Sequence, residues 1–186
     1  MTKEIKLVIV SGGCYRPSRT LALAQAIEHA LGSRLVIRSH IIELGDIAAA
    51  VGSALSRDQL PAPVEAELRQ IETAELLIVA SPVYRGSYPG LFKHLFDLVG
   101  MEALINTPVL LAATGGSDRH ALVIDHQLRP LFSFFQALTL PVGVYASERD
   151  FTNYAVTSQA LLDRIKLAAE RAAALFPQAE ILAASA

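Results

Sequence analysis

The chain has 186 residues, 52% of them apolar and 18% charged, with a formal net charge of −2. That length suits one domain with a sizeable core, the composition excludes general disorder, and the absence of any Lys/Arg run excludes a nucleic-acid surface. One cysteine excludes a disulfide framework and a zinc site, and the longest apolar runs fall far short of the ~20 residues of a bilayer span.

Met1-Thr2-Lys3-Glu4 has no signal-peptide shape, so the expected compartment is the cytoplasm. Lys6–Val10 is a β-branched run ending in Ser11-Gly12-Gly13, which reads as a buried strand and its exit loop. Ser18–Leu31 has Leu23, Ile27 and Leu31 four apart, predicting a helix that Gly32 closes. Leu35–Ile42 reads as a second strand, and the alternating Arg38 and His40 place it near a sheet edge. Residues 44–61 are small and polar and read as a mobile excursion, after which Val64–Thr73 is helical. Leu76–Ala80 is a third, wholly apolar strand, and Leu91–Val99 is a helix with Pro89 near its first turn.

Val109–Ala113 predicts strand four, and a long helix is expected from about Asp118 to Leu138. Val142–Tyr145 is strand five, Ser147–Thr157 an open loop, and Ser158–Phe176 a final amphipathic helix. Residues 1–176 are read as one domain, with 177–186 a loosely held tail. The high mean hydropathy of +0.39 predicts a buried sheet together with apolar surface covered by another subunit.

Strands alternating with helices predict an α/β doubly wound sandwich with helices on both faces of a five-stranded parallel sheet. The common strand order for five strands is 2-1-3-4-5, in which ligands bind outside the carboxyl ends between strands 1 and 3. The loops after strands 1, 3 and 4 should therefore meet at one crevice. In Ser11–Thr20, glycines free the backbone, while Ser18, Arg19 and Thr20 sit at a helix start suited to a phosphate; Ser18 serves equally as a plain N-cap. Ser81–Gly90 is stiffened by prolines and offers Tyr84 and Tyr88 as flat faces, or is simply a rigid connection. In Thr114-Gly115-Gly116-Ser117, the paired glycines suit close approach of a ligand, or a turn before a helix. Together the three loops describe a mononucleotide site. No Gly-x-Ser-x-Gly motif, carboxylate pair or clustered histidines falls in them, so no catalytic acid–base residue and no metal is expected.

Pro17-Ser18-Arg19-Thr20, Ala80-Ser81-Pro82-Val83-Tyr84-Arg85, Leu91 with Leu95-Phe96-Asp97-Leu98, and Ala113-Thr114-Gly115-Gly116 resemble the NAD(P)H-dependent FMN reductases of flavodoxin-like fold. The resemblance runs over residues 5 to 176 and is strongest to the flavin reductase components of two-component alkanesulfonate or methanesulfonate monooxygenases. It implies that the first loop binds the FMN phosphate through Ser18, Arg19 and Thr20. Ser11 and Arg16 are weaker candidates, because Gly12-Gly13-Cys14-Tyr15 replaces the family's Gly-Ser-x-Arg. It further implies that Pro82, Val83, Tyr84 and Arg85, with Thr114, Gly115, Gly116 and Ser117, border the ring system.

The implied reaction is hydride transfer from NADH or NADPH to FMN, with the reduced flavin passed to a sulfonate monooxygenase in sulfur assimilation. An FMN-containing quinone or azo reductase and an electron-carrying flavodoxin are the alternatives. Relatives also carry a one-residue π-type insertion in the long helix at a subunit interface. Here the equivalent residue is His126, in Val123-Ile124-Asp125-His126-Gln127-Leu128-Arg129, within an expected homodimer or homotetramer.

Overall fold

Alternate residues of the first strand, β1 (Ile5–Ser11), face opposite layers, and both layers are apolar. Leu7 and Ile9 join one buried cluster while Val8 and Val10 join the other, which is what a central parallel strand requires. The computed structural model describes residues 3–177, so the tail expected beyond Pro177 lies outside the described residues.

The chain continues through α1 (Arg19–Gly32), β2 (Ile37–Glu43), α2 (Leu44–Ser53), α3 (Ala62–Glu72), β3 (Leu76–Pro82), α4 (Gly90–Asp97) and β4 (Pro108–Gly115). It ends with α5 (Arg129–Phe134), β5 (Leu138–Thr139), β6 (Val144–Ser147), the hairpin β7 (Phe151–Thr152) with β8 (Ala155–Val156), and α6 (Gln159–Ala173). The sheet runs β2-β1-β3-β4-β5, with β6 also paired to β4, and every pairing in it is parallel. This is the α/β, flavodoxin-like order expected from the strand pattern. One face of the sheet is covered by Leu23, Ile27 and Leu31 of α1 with Leu161 and Ile165 of α6. The other is covered by Leu68 of α3, Phe92 and Phe96 of α4 and Phe132 of α5. Each such side chain, fully buried, contributes about 1.5–3 kcal/mol.

Four elements depart from the expectation. Residues 44–61 are not an open excursion: Leu44–Ser53 is a helix whose Leu44, Ile47 and Val51 face the core. Alanine is the strongest helix former, and the run Ala48-Ala49-Ala50 favours helix where small residues had suggested loop. A short 3₁₀ turn, Arg57–Gln59, follows, and Arg57 pins it by bonding both Glu65 (2.9 Å) and Glu72 (2.9 Å) of α3.

The long helix from Asp118 to Leu138 is instead broken into a 3₁₀ turn (Asp118–His120), a π-helical turn (Ile124–Leu128) and α5. Pro130 accounts for the π-helical turn. It has no N–H for the carbonyl of His126, and its ring crowds that carbonyl in a regular helix; widening the coil before it relieves both. The π turn contains His126, where the family resemblance put an insertion.

The fifth strand position is shared by β5 and β6. Between them Pro141 cannot donate to a ladder, and a Cβ on Gly143 would meet Ile124 Cγ2 at 2.7 Å, so the chain bulges there. The bulge carbonyls are satisfied from outside the sheet, Leu140 by Arg129 (3.0 Å) and Gly143 by Arg164 (2.9 Å). Finally, Ser147–Thr157 is not open. Its two-residue hairpin turn, Asn153-Tyr154, has both φ values positive, at 47° and 65°.

Candidate functional site

Where β1 ends, the backbone is fixed before the first loop begins. Gly12 N–H donates to the Ala80 carbonyl (2.7 Å), and a Cβ at Gly12 would meet Phe92 Cδ2 at 2.6 Å. Gly13 presents its carbonyl to Gly45 N–H of α2 (3.3 Å). The loop then crosses the carboxyl edge of the sheet to Ser18, whose hydroxyl caps α1 by accepting from Leu21 N–H (3.1 Å). Ala22 N–H takes the Ser18 carbonyl (3.1 Å), so the first-turn N–H groups of Arg19 and Thr20 have no acceptor within the helix. The Thr20 hydroxyl is buried against that of Thr114 at 2.6 Å, which ties α1 to the end of β4.

The second loop is locked to the third. Pro82 lies beside Thr114, and Val83 N–H donates to the Thr114 carbonyl (2.8 Å). Tyr84 and Ser87 exchange backbone bonds of 2.8 and 3.2 Å across Arg85-Gly86, whose φ values of 54° and 86° make a tight two-residue turn. Tyr84 is thereby held half-exposed at the lip, while Arg85 stands at the exposed tip.

In the third loop the two glycines do different work. A Cβ on Gly115 would collide with the Tyr145 hydroxyl, which crosses there to reach the Ser117 carbonyl (2.6 Å). Gly116 has nothing within 4 Å of its Cβ position, leaving its backbone open. Gly115 is therefore required by an internal contact with Tyr145, whatever approaches the cleft side of its backbone.

These loops enclose a cleft of about 250 Å³. Of the residues singled out from sequence, Ser18, Arg19, Thr20, Pro82, Val83, Tyr84, Thr114, Gly115 and Gly116 line it. Ser11 is buried beneath, and Arg85 and Ser117 lie outside the lining. Arg16 is also outside, engaged with Glu43 (2.7 Å) and Asp46 (2.9 Å) on the α2 side. Those carboxylates supply the charge partner that a phosphate would otherwise be, and they hold its guanidinium above the usual range, mainly through the Glu43 hydrogen bond. His126 is exposed on the π turn and is not among the lining residues.

The sequence reading missed Gly13, Cys14, Tyr15 and Pro17 as lining residues, and missed Phe151 and Tyr154 altogether. The last two come from the hairpin after β6, a loop that leaves the same carboxyl edge. Tyr154 lies under the Arg19 guanidinium, 5.4 Å from the ring centre, and Arg19 also bonds Glu148 at 2.6 Å.

The cleft holds hydroxyls, a guanidinium and free helix-start N–H groups on one wall, with Pro82, Val83 and Tyr84 as a flat apolar wall. Burial pushes the Cys14 thiol and the Tyr84 phenol upward, so both stay neutral near pH 7 and neither is a ready base or nucleophile. Among the described residues, no group of His, Cys, Asp and Glu could hold a metal ion, and no helix is long and apolar enough to cross a membrane. An anion joined to a flat heterocycle fits such a lining, and FMN is such a molecule.

Comparison with known proteins agrees with that chemistry. Residues 5–152 match the family described as NADPH-dependent FMN reductase. The NADH-dependent FMN reductase SfnF of Pseudomonas fluorescens (strain Pf0-1) is 68% identical over 176 residues, covering 95% of this chain and 94% of its own. An FMN reductase (NADPH) of Pseudomonas aeruginosa is also 68% identical, covering 95% of each. The crystal structure of an oxidoreductase from Corynebacterium diphtheriae superposes with a TM-score of 0.82 at 32% identity, covering 92% of this chain and 96% of that one.

Proposed function

Given that the chain belongs to the NADPH-dependent FMN reductase family and is an oxidoreductase acting on FMN with NADH or NADPH, we propose that the cleft between the loops after β1, β3 and β4 is where FMN is reduced. The convergence of those three loops at one edge carries the reading. Ser18, Arg19 and Thr20 hold the phosphate through a capping hydroxyl, a guanidinium and first-turn N–H groups. Pro82, Val83 and Tyr84 support one border of the ring, and the open backbone of Gly116 lies along the other. When bound, FMN supplies the hydride-accepting chemistry, so the chain needs no acid–base residue. Its own part is orientation and exclusion of water, in which Tyr15 and Tyr84 stand at the mouth, 77% and 45% exposed.

Residues 1–176 act as one unit, a reading supported by two apolar clusters on opposite faces of a single sheet. The resemblance to reductase components of two-component sulfonate monooxygenases supports transfer of reduced FMN to such a partner in the cytoplasm. A homodimer or homotetramer is supported by a cavity of about 450 Å³ lined by Tyr88, Phe96, Met101, Leu131, Phe134 and Phe135, with Met101 70% and Phe134 63% exposed. His126 on the adjoining π turn belongs to that interface.

A steady-state assay crossing NADH and NADPH with FMN, FAD, riboflavin and a quinone tests the reading. Nicotinamide oxidation that depends on added FMN is expected. Faster turnover with the quinone than with FMN would favour a quinone reductase, and no flavin-dependent oxidation with either donor would remove the reductase assignment at this cleft.

A further inference from the structure

Arg19 is the one guanidinium among the residues lining the cleft, and it is already paired. Its Nη2 donates to Glu148 Oε1 at 2.6 Å, with the two side chains 40% and 60% exposed. Glu148 opens the 3₁₀ turn after β6, within the segment that leads to the hairpin carrying Phe151 and Tyr154 into the cleft. The same hairpin puts the Tyr154 ring against the Arg19 guanidinium. To hold Tyr154 there the backbone adopts φ of 65°, a conformation that disfavours a residue with a side chain. Neighbouring carboxylates are otherwise engaged: Asp150 bonds Ser147 N–H (2.7 Å) and Ser147 Oγ (3.0 Å), and Asp118 pairs with Arg149. Glu148 is thus the carboxylate bonded to Arg19 among the described residues.

We infer that Glu148 competes with the flavin phosphate for Arg19, and that Tyr154 keeps the guanidinium at the cleft mouth when Glu148 releases it. The inference rests on the proposed phosphate site at Ser18, Arg19 and Thr20. A carboxylate and a phosphate both seek the same planar donor fork, and binding one weakens the hold on the other. The exposed pair is cheap to open, and a ring face remains for the cation after it opens. The device lowers affinity for the phosphate-bearing flavin without touching the ring, which suits a protein whose flavin product must leave. Glu148 is a positioning residue on this reading, acting through Arg19.

The test measures dissociation constants of FMN and riboflavin, by quenching of flavin fluorescence, for the unsubstituted chain, Glu148→Gln, Arg19→Ala and the double variant. Because exposed ion pairs are worth up to about 1 kcal/mol, Glu148→Gln should bind FMN roughly two- to fivefold more tightly. Riboflavin, which has no phosphate, should be unaffected. Arg19→Ala should reduce the preference for FMN over riboflavin, and adding Glu148→Gln to it should give no further gain. Glu148→Asp should restore part of the competition, and the KM for FMN should move with the binding constant. An equal shift for FMN and riboflavin, or weaker FMN binding in Glu148→Gln, overturns the competition while leaving the phosphate site standing. Equal affinity of the unsubstituted chain for FMN and riboflavin removes the phosphate site itself, and the inference with it.

Discussion

The loop after β1 and the segment after β4 leave the same edge of the sheet and are built in opposite ways. Between Gly12 and Thr20 the loop is tied inside the chain, Gly12 on Ala80, Gly13 on Gly45, Ser18 on Leu21 and Thr20 on Thr114, while the first-turn N–H groups of Arg19 and Thr20 are left open. Between Asp118 and Phe135 the helix is interrupted, and Leu122 and Phe134 remain 61% and 63% exposed. A site that must hold a small anion gains from a backbone fixed beforehand, because less ordering is left to the moment of binding. A surface that meets another copy of the chain can leave its apolar groups uncovered until assembly. The contrast teaches that the loop at the proposed phosphate site is closed by internal bonds, while the surface proposed for assembly keeps its apolar groups open.

The largest effects should fall in the first loop. Gly12→Val places methyl groups where Cβ alone would already reach Phe92 at 2.6 Å, and overpacking of that kind costs about 1–3 kcal/mol. Gly116→Ala faces open space and should change stability by less than about 0.5 kcal/mol. Denaturant midpoints compare the two, and similar losses would break the distinction between a packed and an open glycine. Next comes Thr20→Val, which leaves the buried Thr114 hydroxyl without its partner at a cost of about 1–2 kcal/mol. The Thr20→Val/Thr114→Val pair should cost less than the sum of the single changes, since neither hydroxyl is then stranded.

At the surface proposed for assembly the effect should be in mass and not in stability. Phe134→Ser removes an exposed ring and should leave the midpoint within about 0.5 kcal/mol, while light scattering at micromolar concentration shows a smaller particle. An unsubstituted chain that is already monomeric would overturn the assembly reading.

The same contrast explains what was legible beforehand. Buried parallel strands announce themselves as apolar runs, so Leu76–Ala80 and Val109–Ala113 were readable to within two residues at each end. Nine cleft residues were readable because glycines and prolines punctuate the ends of those strands. The contribution of Phe151 and Tyr154 was hidden because their turn uses Asn153-Tyr154, without the glycine that usually marks such a hairpin. Arg16 stood in the same loop as a weaker candidate than Arg19, and only the fold shows Glu43 and Asp46 engaging it. Helix α2 was missed because Ala and Gly were counted as loop residues, although Leu44, Ile47 and Val51 keep helical spacing.

A last effect, confined to acid pH, concerns the clamp that steadies the first loop from behind. Gly45 N–H of α2 holds the Gly13 carbonyl, and the turn after α2 is pinned by Arg57 on Glu65 and Glu72. Hydrogen bonds from Arg57, and then Arg69, outweigh the opposing effect of burial and hold Glu65 down at about 2, against an ordinary value of 4.5. For Glu72, burial acts upward but is outweighed by Arg57 and by Gly100 N–H (2.9 Å), so it too titrates below its ordinary value. Both carboxyls are more acidic folded than unfolded, so protons bind the unfolded chain first as pH falls. The contribution of Glu65 is therefore present above pH 4.5 and is lost progressively as the pH falls from there toward 2, and that of Glu72 is likewise lost as the pH falls below 4.5. Solvent screens Glu65, so the loss from its pair should stay below about 1 kcal/mol. Denaturant midpoints at pH 7 and pH 3 should differ more for the unsubstituted chain than for Arg57→Gln, in which both carboxyls return toward ordinary values. Equal acid losses in the two proteins would show that the clamp carries none of the stability behind the first loop.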